Sequence, residues 1–157
     1  MDKIKFEYPE DYKYFKKLLC SLDELLEKYS AFFDFRHPKI KRSEFNKINK
    51  KVREELINRY GKKCMLRYPD KCTNTDFVVD HLIPLSSNKL NKLLRNIKAE
   101  KGKKVLTQSF GSNNMDNLII ACTKCNLHKK HIILKRDKIQ QILELKFKPP
   151  AQLSWPF

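Results

Sequence analysis

In the stretch VVDHLIPL, residues 78–85, a carboxylate and an imidazole stand side by side in an otherwise apolar run. An apolar run of this length, bounded by Lys-rich and Ser-rich sequence, predicts a strand over residues 76–83. Burying Asp80 and His81 there is costly unless each finds a partner. Two readings follow. The pair is a half-buried salt bridge or turn, or it is a metal ligand beside a general base. Chemically the second is well matched to neutral pH, because an imidazole with a pKa of about 6.5 can take a proton from water there.

The cysteines form the second group with chemical potential. There are five: Cys20, Cys64, Cys72, Cys122 and Cys125. An odd count with no secretory pattern argues against a disulfide framework. Cys122-x-x-Cys125, at a predicted strand-to-helix junction, has the spacing of a zinc knuckle, though C-x-x-C also serves redox chemistry. Cys64 and Cys72 supply a second pair, spaced more widely than is usual for zinc. A hairpin turning at Tyr68-Pro69-Asp70 would bring their sulfurs together. Four thiolates make a closed, structural zinc site; the alternative is four buried free thiols. Cys20 lies off the apolar stripe of its helix and receives no metal role.

These residues need elements to carry them. Residues 9–30 predict a helix with Phe15, Leu18, Leu19, Leu22, Leu25, Leu26 and Tyr29 on one face. Residues 33–42, FDFRHPKIKR, predict a linker broken at Pro38, with His37 an exposed loop residue. A helix over 43–60 follows, capped by Ser43, stopped by Gly61, and turning Phe45, Ile48, Val52, Leu56 and Tyr60 inward. The hairpin at 64–72, the Asp-His strand, a basic amphipathic helix at 87–98 and a mobile loop at 99–114 come next. A second strand at 115–122, a helix beginning at 123, another at 136–146 and an irregular tail complete the chain.

The chain has 157 residues and a net charge of +16, from 34 Lys and Arg against 18 Asp and Glu. Residues 1–40 hold eight of each sign, so the whole excess lies beyond them. A basic region beside a neutral one is the electrostatic footprint of a polyanion binder. Within it, residues 87–104 carry Lys89, Lys92, Arg95, Lys98, Lys101, Lys103 and Lys104 against Glu100 alone, a segment suited to a nucleic-acid backbone. No apolar run approaches the roughly 18–20 residues of a membrane span, and no signal-peptide pattern opens the chain. The expectation is a soluble cytoplasmic protein with no membrane partner.

Taken in order, Cys…Cys, Asp-His-x-x-Pro, Asn-Leu, Cys-x-x-Cys-Asn and a trailing Lys resemble the HNH endonuclease family, the zinc-bearing branch of the ββα-metal nucleases. The resemblance covers about residues 56–131. It implies an α+β fold: a ββα core with a structural four-cysteine zinc site, preceded by an N-terminal helical segment. The implied divisions are 1–40 for that segment, 41–148 for the nuclease domain with its basic insert at 87–104, and 149–157 for the tail. Residue by residue, the resemblance implies Asp80 and Asn126 as ligands of a catalytic Mg²⁺ or Mn²⁺ and His81 as general base. It implies Asn117 as the residue orienting that base, and Lys129 or Lys130 on phosphate. Oxygen ligands suit these hard cations better than zinc. His128 and His131 share a helix face and are read as phosphate contacts or plain surface.

The implied activity is metal-dependent hydrolysis of phosphodiester bonds in DNA, double-stranded by expectation. The alternatives are a zinc-stapled nucleic-acid-binding module without catalysis, and a thiol oxidoreductase using Cys122 and Cys125. The oxidoreductase leaves the Asp-His pair unexplained and lacks the expected α/β pattern. The N-terminal helix is left three roles: docking on the core, pairing with a second copy, or binding a partner protein.

Overall fold

The computed structural model describes residues 9–18, 30–86, 109–130, 132 and 134–147. The expected helix at 87–98 with Lys89, Lys92 and Arg95, most of the following loop, Cys20, His131 and the tail at 149–157 lie outside the described residues. The architecture is mixed α and β, built on a two-stranded antiparallel sheet.

Helix α1 spans Pro9–Leu18, with Glu10 and Asp11 in its first turn, where negative charge suits the helix dipole. Its Phe15 is fully buried, edge-on to Phe33 at 5.0 Å between ring centroids and tilted against Phe110 at 5.3 Å. The described part of the N-terminal helix therefore docks on the body of the protein.

Residues 33–42 are not a linker. A 3-10 turn at Ser30–Phe32 sends Phe32 into the core, and Phe33 pairs with Gly111 in an isolated bridge. Helix α2 spans Pro38–Tyr60, starting five residues before the expected Ser43. The reason is local. Proline at the first helical position brings a suitable φ and lacks an N–H that would go unsatisfied anyway. His37 caps the turn, its Nδ1 accepting from Lys39 N at 3.2 Å. Gly61 ends the helix at φ 83°, a left-handed conformation open to glycine, and its N–H reaches Ile57 O at 2.7 Å. Phe45, Val52, Leu56 and Tyr60 face inward as expected; Ile48 is exposed, and Lys41 takes a buried place instead.

Strand β1, Phe77–His81, pairs with β2, Leu118–Cys122, so that Asp80 lies opposite Ile119 and His81 opposite Leu118. Both strands are shorter than the sequence predicts; Met115–Asn117 forms a 3-10 turn before β2. Every residue of β2 is buried. Helix α3, Thr123–Lys129, follows β2 directly, and both α2 and α3 pack on the two strands. Helix α4, Arg136–Phe147, adds Ile139, Ile142, Leu143 and Leu145 to the core. The expected hairpin at 64–72 is absent: its residues form turns, with Tyr68 O accepting from Lys71 N and Cys72 N at 3.2 and 3.0 Å. Among the described residues no helix is long and apolar enough to cross a membrane.

Candidate functional site

The turn-rich loop does what the hairpin was expected to do. The sulfurs of Cys64, Cys72, Cys122 and Cys125 all lie within 4.8 Å of one another, and none is in a disulfide. Cys122 Sγ stands 3.9 Å from Cys72 Sγ. Tetrahedral zinc with bonds of about 2.3 Å sets neighbouring sulfurs about 3.8 Å apart, so the cluster fits such an ion. Backbone N–H groups are aimed at the sulfurs: Cys125 N at Cys122 (3.4 Å), Tyr68 N at Cys125 (3.4 Å) and Arg67 N at Cys64 (3.5 Å). Burial would raise the Cys122 thiol, but the N–H groups of Cys125 and Thr73 hold it down to about 6. Burial pushes Cys125 and Cys72 up, and neighbouring Cys64 adds to both shifts. Four thiolates this close repel one another, and a cation at their centre removes that conflict.

Asp80 and His81 are consecutive at the end of β1, and their side chains meet different helices. The flanking helices show which is which. On the α3 side, Lys129 Nζ lies 3.0 Å from Asp80 Oδ2 and donates to His81 O at 2.9 Å. On the α2 side, the Phe45 ring meets the His81 ring edge-on at 4.7 Å. Both residues are buried, but Asp80 Oδ2 accepts no aligned hydrogen bond among the described residues and is held by the ion pair alone. Burial raises the Asp80 carboxyl, and Lys129, the His81 N–H and Arg42 counter it. Burial lowers His81 to about 4; the Asn113 hydrogen bond opposes this, while Arg42, Lys129 and Lys41 reinforce it. The imidazole is therefore neutral at pH 7.

Two sequence expectations need correction here. Asn117 does not touch the imidazole. Fully buried, its Oδ1 accepts from Ile83 N at 2.8 Å, and its Nδ2 donates to Ile83 O at 3.0 Å and Ser112 O at 2.8 Å. It clamps the backbone leaving β1. The imidazole's partner is Asn113, whose Oδ1 lies 2.8 Å from His81 Nε2. Asn113 Nδ2 donates to Lys41 O at 2.8 Å, so the carbonyl end faces the ring. Nε2 then carries the proton and Nδ1 the lone pair. The sequence could not separate the candidates, because Asn113, Asn114 and Asn117 crowd one stretch; only the register of β2 and the turn before it decides.

The second correction is Lys129. A phosphate contact requires an exposed ammonium, and this one is fully buried against Asp80 and the His81 carbonyl. Lys130 is exposed. His128 is exposed too, its ring edge-on to Tyr68 at 4.6 Å. Asn126 is half-buried on α3, three residues before Lys129 and hence on the helix face that looks toward Asp80.

Sequence reasoning also missed Lys41. Its buried ammonium donates to three carbonyls, Asp34 O at 2.7 Å, Leu85 O at 3.0 Å and Gly111 O at 2.6 Å, and so ties three segments together beside the site. A Lys in a Lys-rich stretch gives no signal of such a role. No family model matches the chain, and no curated protein or solved structure matches it either.

Proposed function

We propose that this chain is a metal-dependent endonuclease of the HNH type, hydrolysing phosphodiester bonds in DNA, with zinc as its structural ion. The observation that carries the reading is the pairing of a neutral, oriented imidazole with a buried carboxylate oxygen held by the Lys129 ion pair alone, at one strand end. The order β1, β2, α3, with the cysteine cluster at the β2–α3 junction, supports reading this region as a ββα-metal core. The net charge of +16 supports a polyanionic substrate.

The donor chemistry fits a second, hard cation. Asp80 Oδ2 is a carboxylate oxygen with capacity to spare, and the Asn126 amide oxygen is the companion ligand on the facing helix side. Mg²⁺ or Mn²⁺ held there would polarise the phosphate and stabilise the leaving oxygen. The protein's own residues supply the rest. His81 Nδ1 takes the proton from the attacking water, and Asn113 fixes the ring so that this nitrogen is the free one. Phe45 packs the ring from the side and restricts its rotation.

One observation favours a different reading. The Lys129 ammonium already neutralises Asp80, as it would in a zinc-stapled binding module whose carboxylate is purely structural. A plasmid-nicking assay over a range of Mg²⁺ and Mn²⁺ concentrations separates the two. On the nuclease reading, wild type cuts, His81→Ala cuts about 10²–10⁴-fold more slowly at every metal concentration, and Asp80→Ala recovers partly in excess Mn²⁺. Equal rates for wild type and His81→Ala would remove the base assignment. A chain that binds nucleic acid but cuts none with any divalent metal is the binding module.

A further inference from the structure

Beside His81 an open groove runs between the first turns of α2 and the chain leaving β1, lined by Lys39, Arg42, Ser43, Asn46, Leu85 and Ser86. The four α2 residues are spaced three and four apart, forming one polar stripe on the helix surface. All four are exposed, and Arg42 makes no ion pair among the described residues. Its charge favours the ionised Asp80 from a distance, and its guanidinium donors are engaged in no ion pair among the described residues.

Position gives the explanation. Phe45, one turn along from Arg42, touches the His81 ring. The turn that carries Arg42 is also fastened to that ring through hydrogen bonds: Lys41 O accepts from Asn113 Nδ2, and Asn113 Oδ1 meets His81 Nε2, each at 2.8 Å. Lys41 Nζ fastens the same turn to Leu85 O on the opposite wall. Both walls of the groove are thus fixed relative to the imidazole. The charge of Arg42 acts on Asp80 and on His81 alike.

We propose that this groove is the bed for the backbone of the bound nucleic-acid strand, with Arg42 gripping the phosphate next to Asp80 and His81 and Lys39 gripping its neighbour. This rests on the nuclease reading and extends it to a strand-binding subsite on α2. A planar guanidinium can bond two phosphoryl oxygens at once, which suits it to fix a phosphate against the base. Ser43 and Asn46 add neutral donors along the same track, as backbone-contacting side chains commonly do.

The test is binding of a labelled DNA duplex to the zinc-loaded full chain in a His81→Ala background, titrated with salt. Arg42→Gln should weaken binding about 5–20-fold at moderate salt and reduce the salt slope by about one. Lys39→Gln should act in the same direction, and Arg42→Lys should restore the slope but not the whole affinity. Lys62→Gln is the control: it removes the same charge from an exposed position just past the far end of α2 and should change affinity by about twofold or less. If Arg42→Gln and Lys62→Gln bind alike, the groove is not the bed and the nuclease reading stands apart from it. If the background protein binds no DNA or RNA at all, the nuclease reading fails together with this one.

Discussion

At the scale of single residues, two asparagines with the same chemistry divide two jobs by position. Asn117 is fully buried with three backbone hydrogen bonds, so Asn117→Ala strands a buried N–H and two carbonyls. The expected loss is about 2–4 kcal/mol of stability, read as a lower denaturant midpoint with an unchanged slope. Asn113 is half-buried and holds the imidazole in place. Asn113→Ala should cost less stability than Asn117→Ala, about 1–2 kcal/mol, while slowing cleavage about 10–100-fold, the usual effect of losing a group that orients a catalytic side chain. The opposite pattern, a stable but slow Asn117→Ala, would return the orienting role to Asn117. Lys129 belongs with Asn117 on the structural side. Lys129→Met keeps the buried stem but leaves Asp80 without its cation, and removing one partner of a buried pair typically costs about 3–5 kcal/mol. Thermal melts of that variant should show it; an unchanged melt would mean the ion pair is dispensable.

At the scale of elements, the site stands on two segments that are neither helix nor strand. Residues 109–112 run between 83–86 and 32–34, through Phe110 N to Leu85 O, Gly111 N to Pro84 O and Asp34 N to Phe110 O. The approach is so close that a Cβ on Gly111 would meet Ile83 O at 1.9 Å. Gly111→Ala must therefore push the Ile83 backbone, and with it the Asn117 clamp, so lower stability and slower cleavage should appear together. Melts and nicking rates on one preparation check this. Lys41 and Lys146 fasten the same region, Lys146 donating to Met115 O at 2.6 Å and to Leu118 O. Burial holds both lysines down to about 8; Asp34 and Asp116 oppose this respectively, and Arg36 and Arg59 add to it. Both values lie below the unfolded value of about 10.5. Between pH 8 and that value the unfolded chain holds more protons, so stability rises with pH. Melting temperatures should climb from pH 8 to 10 in wild type and climb less in Lys41→Met. The periodic elements were legible from sequence because apolar spacing dictates them: α2 from Phe45 onward and α4 fall where the pattern puts them, and β2 does so from Leu118 on. Short-range chemistry misled at Pro38, where a helix start looked like a break, and at 64–72, where turn residues looked like a hairpin. The Asn113 contact and two of the three Lys41 ties were not legible, since they depend on segments 32, 44 and 70 residues apart meeting in space.

At the scale of the whole molecule, a basic chain has to keep its charges apart, yet Lys41, Lys129 and Lys146 are all buried. Each is placed where carbonyls, and for Lys129 a carboxylate, converge around the short sheet. Part of the positive charge that suggested a polyanion partner is therefore internal, and exposed residues such as Arg42, Lys39 and Lys130 are what a substrate would meet. The four-cysteine cluster is the other device that joins distant parts, and it carries the last prediction. Its loop holds Arg67, Asp70, Asn74 and Asp76 at positive φ, a conformation unfavourable for residues with a Cβ by about 1 kcal/mol or more each. Hydrogen bonds such as Met65 N to Ile120 O and Cys64 N to Asn74 Oδ1 offset part of this, and tying the four sulfurs to one ion would hold the loop closed. Elemental analysis should find about one zinc per chain. Stripping it with a strong chelator under reducing conditions should release the loop and unseat α3, whose Lys129 pairs with Asp80. Near-UV circular dichroism and cleavage should then be lost together. Zinc should restore both, whereas Mg²⁺ alone should restore neither, because a hard cation prefers oxygen to thiolate. Cys122→Ser, placed in the fully buried strand β2, should give insoluble or molten protein; Cys72→Ser, on the half-buried loop, should fold with weakened zinc binding. A well-folded chain that contains no zinc, or a Cys122→Ser variant that is soluble and retains its near-UV signal, would show that four buried thiols suffice to hold the loop.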